Sequence, residues 1–305
     1  MNIEILEYKN YGKTAFITHG KIKLGITTEL GPRVIYMSYN GGENLFFEDI
    51  DRETMRNDPP MSDVFGKDAV WYLYGGHRIW MSPEAYPETY LNDNFPLKYE
   101  QNGNSVTFSQ QTLPNSKIMT ELKLIFENDG TVSVYNTVKN VSSETVNGSV
   151  WALSVMAQGG VGFVKLSEEN TGLLPNRRIV LWPYTKLSDK RLTLTDKFIA
   201  VRQDKTAGCD FKIACESKEG AVYYLNKNVL FKKTFAYDEN AQYPDWGVNC
   251  EFFTGNNFFE LESLSALQDI SAGSSITHKE TWSLSECDSL TEISDDLLEK
   301  IIKNH

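Results

Sequence analysis

The chain has 305 residues, 41% of them hydrophobic and 23% charged, with 30 basic against 41 acidic side chains and a formal net charge of −11 at pH 7. Such a composition is globular and excludes wholesale disorder. The acidic balance removes the electrostatic term that drives binding to phosphate backbones or anionic lipid, so neither nucleic acid nor a membrane surface is an expected partner.

Residues 1–9 lack a basic segment followed by an apolar run, so no signal peptide is expected. No stretch approaches the ~20 apolar residues that span a bilayer. Residues 14–18, 22–27, 105–108, 122–126 and 131–135 alternate apolar with polar side chains at period two, the pattern of half-buried strands. Turn residues separate them, and Asn128-Asp129-Gly130 between the last two predicts a hairpin. The same grammar resumes near 198–202, 211–215, 221–225, 250–253, 257–264 and 275–284. One helix is predicted at the C-terminus, where Ser294-Asp295 can cap a turn carrying Leu297, Leu298, Ile301 and Ile302 on one face. The acids around it read as a solvated face.

Two stretches, 49–70 and 165–195, break the strand rhythm, and excursions of this kind often carry binding residues. Neither has a linker's monotony. The expectation is one large antiparallel β-sandwich over residues 1–288 with a helical tail over 289–305. Four cysteines, Cys209, Cys215, Cys250 and Cys287, have no Cys-x-x-Cys spacing and read as thiols of a cytoplasmic protein.

The densest chemistry lies in Trp71-Tyr72-Leu73-Tyr74-Gly75-Gly76-His77-Arg78-Ile79-Trp80-Met81-Ser82-Pro83-Glu84. Aromatic faces pack on the apolar C–H face of a pyranose, while Arg78 and Glu84 can bond its hydroxyls. The competing reading is an aromatic core strand with a bulge and a surface ion pair. Of the four histidines, His305 is terminal, His19 precedes a turn glycine, and His278 sits on an alternating strand as an exposed or edge residue. That leaves His77 as the candidate acid/base.

A second rich segment runs from Tyr243-Pro244-Asp245-Trp246-Gly247 to Phe258-Phe259-Glu260-Leu261-Glu262. Glu260 and Glu262 share one side of a strand by period-two alternation, which suits either a carboxylate pair in an enclosed site or a plain solvated face. There is no phosphate loop, dinucleotide fingerprint, nucleophile elbow or zinc motif, and four histidines leave little for a transition-metal site. No cofactor and no metal are expected.

With Glu29-Leu30-Gly31-Pro32-Arg33-Val34-Ile35, Gly75–Trp80 with Pro83-Glu84, Tyr243–Gly247, Phe259–Ser263, Ser271-Ala272-Gly273-Ser274 and Trp282 in this order, the chain resembles the galactose mutarotase-like proteins. The resemblance runs from about residue 15 to 284 and is more specific for the fold than for a reaction. It implies a large β-sandwich, a small-molecule sugar as ligand and no cofactor. It also implies a glutamate base after a leucine on a late strand, matching Leu261-Glu262, with Glu260 in reserve. Sugar contacts would come from Arg33, Arg78, Trp80, Glu84, Asp245 and, more weakly, Lys233.

The family's mid-chain histidine acid has no counterpart. The corresponding strand reads Gly148-Ser149-Val150-Trp151-Ala152-Leu153, with Trp151 where the acid would be sought. His77 would then have to face Glu262 for aldose 1-epimerase-like chemistry. The alternatives are a carbohydrate-binding or sensing protein without turnover, and glycosidase- or lyase-type chemistry with Glu84 and Glu262 as the carboxyl pair.

Overall fold

The computed structural model describes residues 2–305, and two large antiparallel sheets account for most of it. The first has eleven strands and the second has ten. At the centre of the first, Val34–Tyr39, Gly76–Ser82, Val146–Met156, Phe259–Leu264, Cys250–Thr254 and Phe211–Cys215 lie side by side in that order. The centre of the second is Ala221–Asn226, Val229–Phe235, Ser275–Glu286, Val132–Asn140 and Ile118–Phe126. This is the expected all-β sandwich.

The predicted hairpin forms in the register its turn implies, with Phe126 opposite Val132 and Leu122 opposite Asn136. Its Gly130 takes a φ of 85°, the left-handed conformation that glycine adopts without steric cost. Between the sheets the inward residues interlock into one apolar core that includes Val134, Met156, Leu261 and Trp282. The C-terminal helix Asp295–Asn304 covers the far side of the second sheet, packing Leu298 and Ile301 among Phe163, Phe198 and Tyr223. Among the described residues no helix is long and apolar enough to cross a membrane.

The excursion at 49–70 contains the short helix Pro59–Phe65, and that at 165–195 contributes the edge strands Ile179–Leu181 and Leu192–Leu194. Gly75 and Gly76 have φ of +98° and +67°, and a Cβ on either would strike the carbonyl oxygen of Phe47 or Val34 at about 2 Å. The pair is therefore demanded by close packing of neighbouring backbone.

A charged cluster sits inside the sandwich. Lys233 and Glu280, both fully buried, meet at 2.9 Å, and Lys233 also donates to the carbonyls of Ala152 and Leu261. Glu280 accepts from Trp282 Nε1 at 2.9 Å and from Ser263 Oγ at 2.5 Å. His278 is only 4% exposed, with Nε2 at 2.8 Å from Ser263 Oγ. The exposed or edge position expected for it is therefore corrected: period-two alternation turns it inward, where a serine of the facing sheet satisfies it.

Burial lowers His278 and His77 to about 4. Burial alone would raise Glu280, but the Lys233 ammonium, the two histidines and the Ser263 hydroxyl together outweigh it and hold the carboxyl at about 2. Both histidines bind a proton more readily in the unfolded chain, so their contribution is complete above pH 6.5 and fades as pH falls toward 4. In urea denaturation each histidine should contribute roughly 2 kcal/mol less stability at pH 5 than at pH 7.5. His278→Gln should flatten that dependence; an unchanged slope would remove the histidine from the account.

Candidate functional site

Strand alternation sorts the chemically rich segments onto two faces. Arg78, Leu153, Glu262 and Glu251 lie directly opposite one another across four adjacent strands, so their side chains leave the sheet on one side. Trp80 and Trp151 form a second row on that side, and Lys212, Phe253 and Glu260 a third. This is the outer face of the first sheet, away from the sandwich interior.

Over it lies a cavity of about 360 Å³, inside the roughly 300–1,000 Å³ range of small-molecule sites. Trp71, Trp80, Tyr90, Trp151, Trp182 and Tyr184 form its aromatic walls. Trp80 stands at the centre, with ring centroids 5.5 Å from Trp71, 4.8 Å from Tyr90 and 5.4 Å from Trp151. A larger cleft of about 670 Å³ beside the C-terminal helix has no tryptophan. The smaller cavity carries the chemistry.

Its floor is built from matched charges. Arg78 Nη2 donates to Glu260 Oε1 at 2.9 Å, and the guanidinium lies 4.2 Å from the centre of Trp80. Lys212 Nζ sits 2.6 Å from Glu251 and 3.3 Å from Glu262, and also over the rings of Trp151 and Trp182 at 4.7 and 4.5 Å. Trp151 Nε1 donates to Glu262 Oε2 at 2.7 Å. Glu262 is wholly buried under this cover, whereas Glu260 lines the cavity.

Burial raises both Glu251, well above the usual carboxylate range, and Glu262; Glu262 raises Glu251 further, and Glu260 raises Glu262. Burial alone would lower Lys212, but the two carboxylates outweigh it and raise the ammonium, which stays charged. Arg78 Nε and Nη1 and Trp71 Nε1 are buried and make no hydrogen bond within the protein. Unpaired buried donors of this kind are costly.

The expected residues divide accordingly. Arg78, Trp80, Glu84, Trp151 and Glu260 line the cavity, with Glu84 accepting from Tyr90 at 2.5 Å. Glu262 lies beneath it. His77 does not join them: it shares its row with Ser154 and Leu261, which point into the sandwich. There Asn136, whose amide nitrogen donates to His278, accepts from His77 Nε2 at 2.8 Å, and Ser154 Oγ donates to Nδ1 at 2.9 Å. His77 and Glu262 therefore leave opposite faces of the sheet, and the facing pair that the sequence suggested is not formed.

Lys233 belongs to the interior cluster, not to the cavity. Arg33 is 1% exposed, paired with Asp93 at 3.0 Å and donating to the carbonyls of Tyr72 and Leu73, so it braces the wall from behind. Asp245 lies on a loop beside Ser82, whose hydroxyl approaches it at 3.4 Å. Sequence reasoning missed Lys212 and Glu251. Each is the only charged residue of an otherwise apolar or small-residue strand, Phe211–Cys215 and Cys250–Thr254, and that isolation was the available signal. Trp182 and Tyr184 come from the 165–195 excursion that the sequence marked as a place for binding residues, and Asp210 from a loop without a signal. Among the described residues no group of three or more His, Cys, Asp or Glu could hold a metal ion.

No family model and no curated protein matches the chain. Solved structures do. A galactose mutarotase-like protein from Lactobacillus casei superposes with a TM-score of 0.56 at 11% identity, over 89% of this chain and all of the other. A protein from Synechocystis gives 0.54 at 10% identity, over 90% and 96%. A galactose mutarotase related enzyme from Lactobacillus acidophilus gives 0.50 at 9% identity, over 92% and 100%. The chain has the galactose mutarotase-like fold.

If the ammonium holds the two carboxyls together, Lys212→Met leaves them without a cation. This variant should be destabilised by roughly 3–5 kcal/mol, as for other broken buried pairs, and Lys212→Met with Glu251→Gln by less than the sum of the single changes. Additive losses in chemical denaturation would separate the two groups.

Proposed function

We propose that the outer-face cavity binds a carbohydrate. The observation that carries this reading is the enclosure of the Arg78–Glu260 pair by four tryptophans and two tyrosines. Aromatic faces accept the C–H face of a sugar ring, and planar charged pairs meet its hydroxyls with donors and acceptors in fixed directions. Two of the solved structures named above are described as galactose mutarotase-like or related, which agrees with a sugar as ligand.

A second reading is aldose 1-epimerase-like catalysis, favoured by two glutamates on the sugar-facing side. Glu260 lines the cavity and would take the proton from the anomeric hydroxyl, with Glu262 behind it. His77 faces the interior, so the cavity's own proton donor toward the ring oxygen would be Lys212. The ring would then open, rotate about C1–C2 and reclose with both protons returned. An ammonium held charged by two carboxylates is a reluctant acid, which is why binding is the primary reading.

Titration of an aldose panel by calorimetry, with anomer exchange followed by NMR, separates the two. Saturable binding without accelerated exchange, weakened about tenfold or more by Trp80→Ala, is the expected result. Acceleration that Glu260→Gln abolishes and His77→Asn preserves would instead establish the isomerase. Absence of binding by every sugar would end both readings.

A further inference from the structure

One aromatic residue of the sequence motifs stands outside the cavity. Trp246 is 88% exposed, whereas Trp71, Trp80, Trp151 and Trp282 are each 6% exposed or less. Its backbone is held in an unfavourable form: Asp245, Trp246 and Gly247 have consecutive φ of 47°, 68° and 88°. Glycine takes that conformation freely, but a bulky side chain does so at a cost, and such strain persists only where the surroundings impose it.

The surroundings here are specific. Arg178 Nη1 donates to the Gly247 carbonyl at 2.6 Å, and a Cβ on Gly247 would meet that same nitrogen at 2.6 Å. Val248 N–H donates back to the Pro244 carbonyl at 3.1 Å, closing the turn. Asp245 receives the Ser82 hydroxyl. These contacts fix the loop while leaving the indole in water.

They also place it. Ser82 lies two residues beyond Trp80 on the same face of one strand, a step of about 6.6 Å. Arg178 lies four residues before Trp182, which forms the opposite wall. The loop thus bridges the strand that carries Trp80 and the excursion that carries Trp182.

We infer that Trp246 is an outer stacking platform, and that the carbohydrate is an oligosaccharide or extended glycoside: one unit occupies the cavity and the next lies on the exposed indole. This rests on the cavity being a sugar site. An indole face accepts the apolar face of a pyranose with little demand on linkage, and Arg178, Asp245 and Glu216 beside the loop offer partners for its hydroxyls. Because the turn's backbone is already held, stacking has to order only the indole's own rotamers.

The test compares monosaccharides with their di- and trisaccharides on the full chain, by calorimetry and indole fluorescence. The wild type should bind the best disaccharide about tenfold more tightly than either constituent. Trp246→Ala should lose about tenfold more affinity for the disaccharide than for the monosaccharide, and Trp246→Phe should recover most of it. Equal affinity for one and two units, or a disaccharide affinity indifferent to Trp246→Ala, overturns the platform while leaving the cavity's sugar reading intact. Light scattering that shows a wild-type dimer dissociating on Trp246→Ala assigns the indole to a protein contact and overturns it too. If no carbohydrate of any length binds, the cavity reading fails and the platform with it.

Discussion

The pleat of the first sheet is the constraint on which the site depends. Along Gly76–Ser82 and Phe259–Leu264 every second side chain must go to the interior and every other one to the outer face. The two strands flank Val146–Met156, so their alternations are locked in phase by hydrogen bonding. A slip of one residue would put Arg78, Glu260 and Glu262 into the apolar core and expose Ile79 and Leu261. The burial of charge forbids that slip, and the same rule sends His77 inward.

Each face resolves its charges differently. Inside, Lys233 and Glu280 are sealed from water and surrounded by His77, His278, Ser263 and Trp282, so nearly every polar group has a partner. Such a pair is a poor source of net stability, because desolvation offsets much of its attraction, but losing either partner would strand a buried charge. We read it as a device for holding the two sheets in one register. Outside, Arg78 and Lys212 on the cavity floor are each opposed by a carboxylate. The aromatic rings around them lower the local polarity and fix the guanidinium and ammonium in place.

The walls complete what the sheet begins. Strands supply the floor and one aromatic wall, and the excursion between Val161–Lys165 and Phe198–Arg202 brings Trp182 and Tyr184 to the other side. Lys212 ties this excursion to the sheet, since its ammonium touches carboxylates on two strands and the Trp182 ring together. Floor and wall are thus coupled through one cation.

Much of this was legible in the residues. Period-two alternation and turn chemistry marked the strands, the hairpin at residues 128–130 and the all-β class, and the resemblance pointed to the fold that superposition then supported. Arg78, Trp80, Glu84 and Glu260 stood out because short segments concentrate aromatic and charged groups, whereas Trp151 was marked only by the resemblance. Local pattern says which residues share a side of one strand, and there the prediction for Glu260 and Glu262 was sound. It does not say which side faces the partner sheet. That choice depends on contacts between residues such as His77 and Asn136, or Ser263 and His278, far apart in the chain. The opening charge of −11 likewise gave no hint that acids gather in pairs around buried lysines. Lys212 and Glu251 became neighbours only when their strands paired, because the energy that selects the register is a sum over distant side chains and appears in no local window.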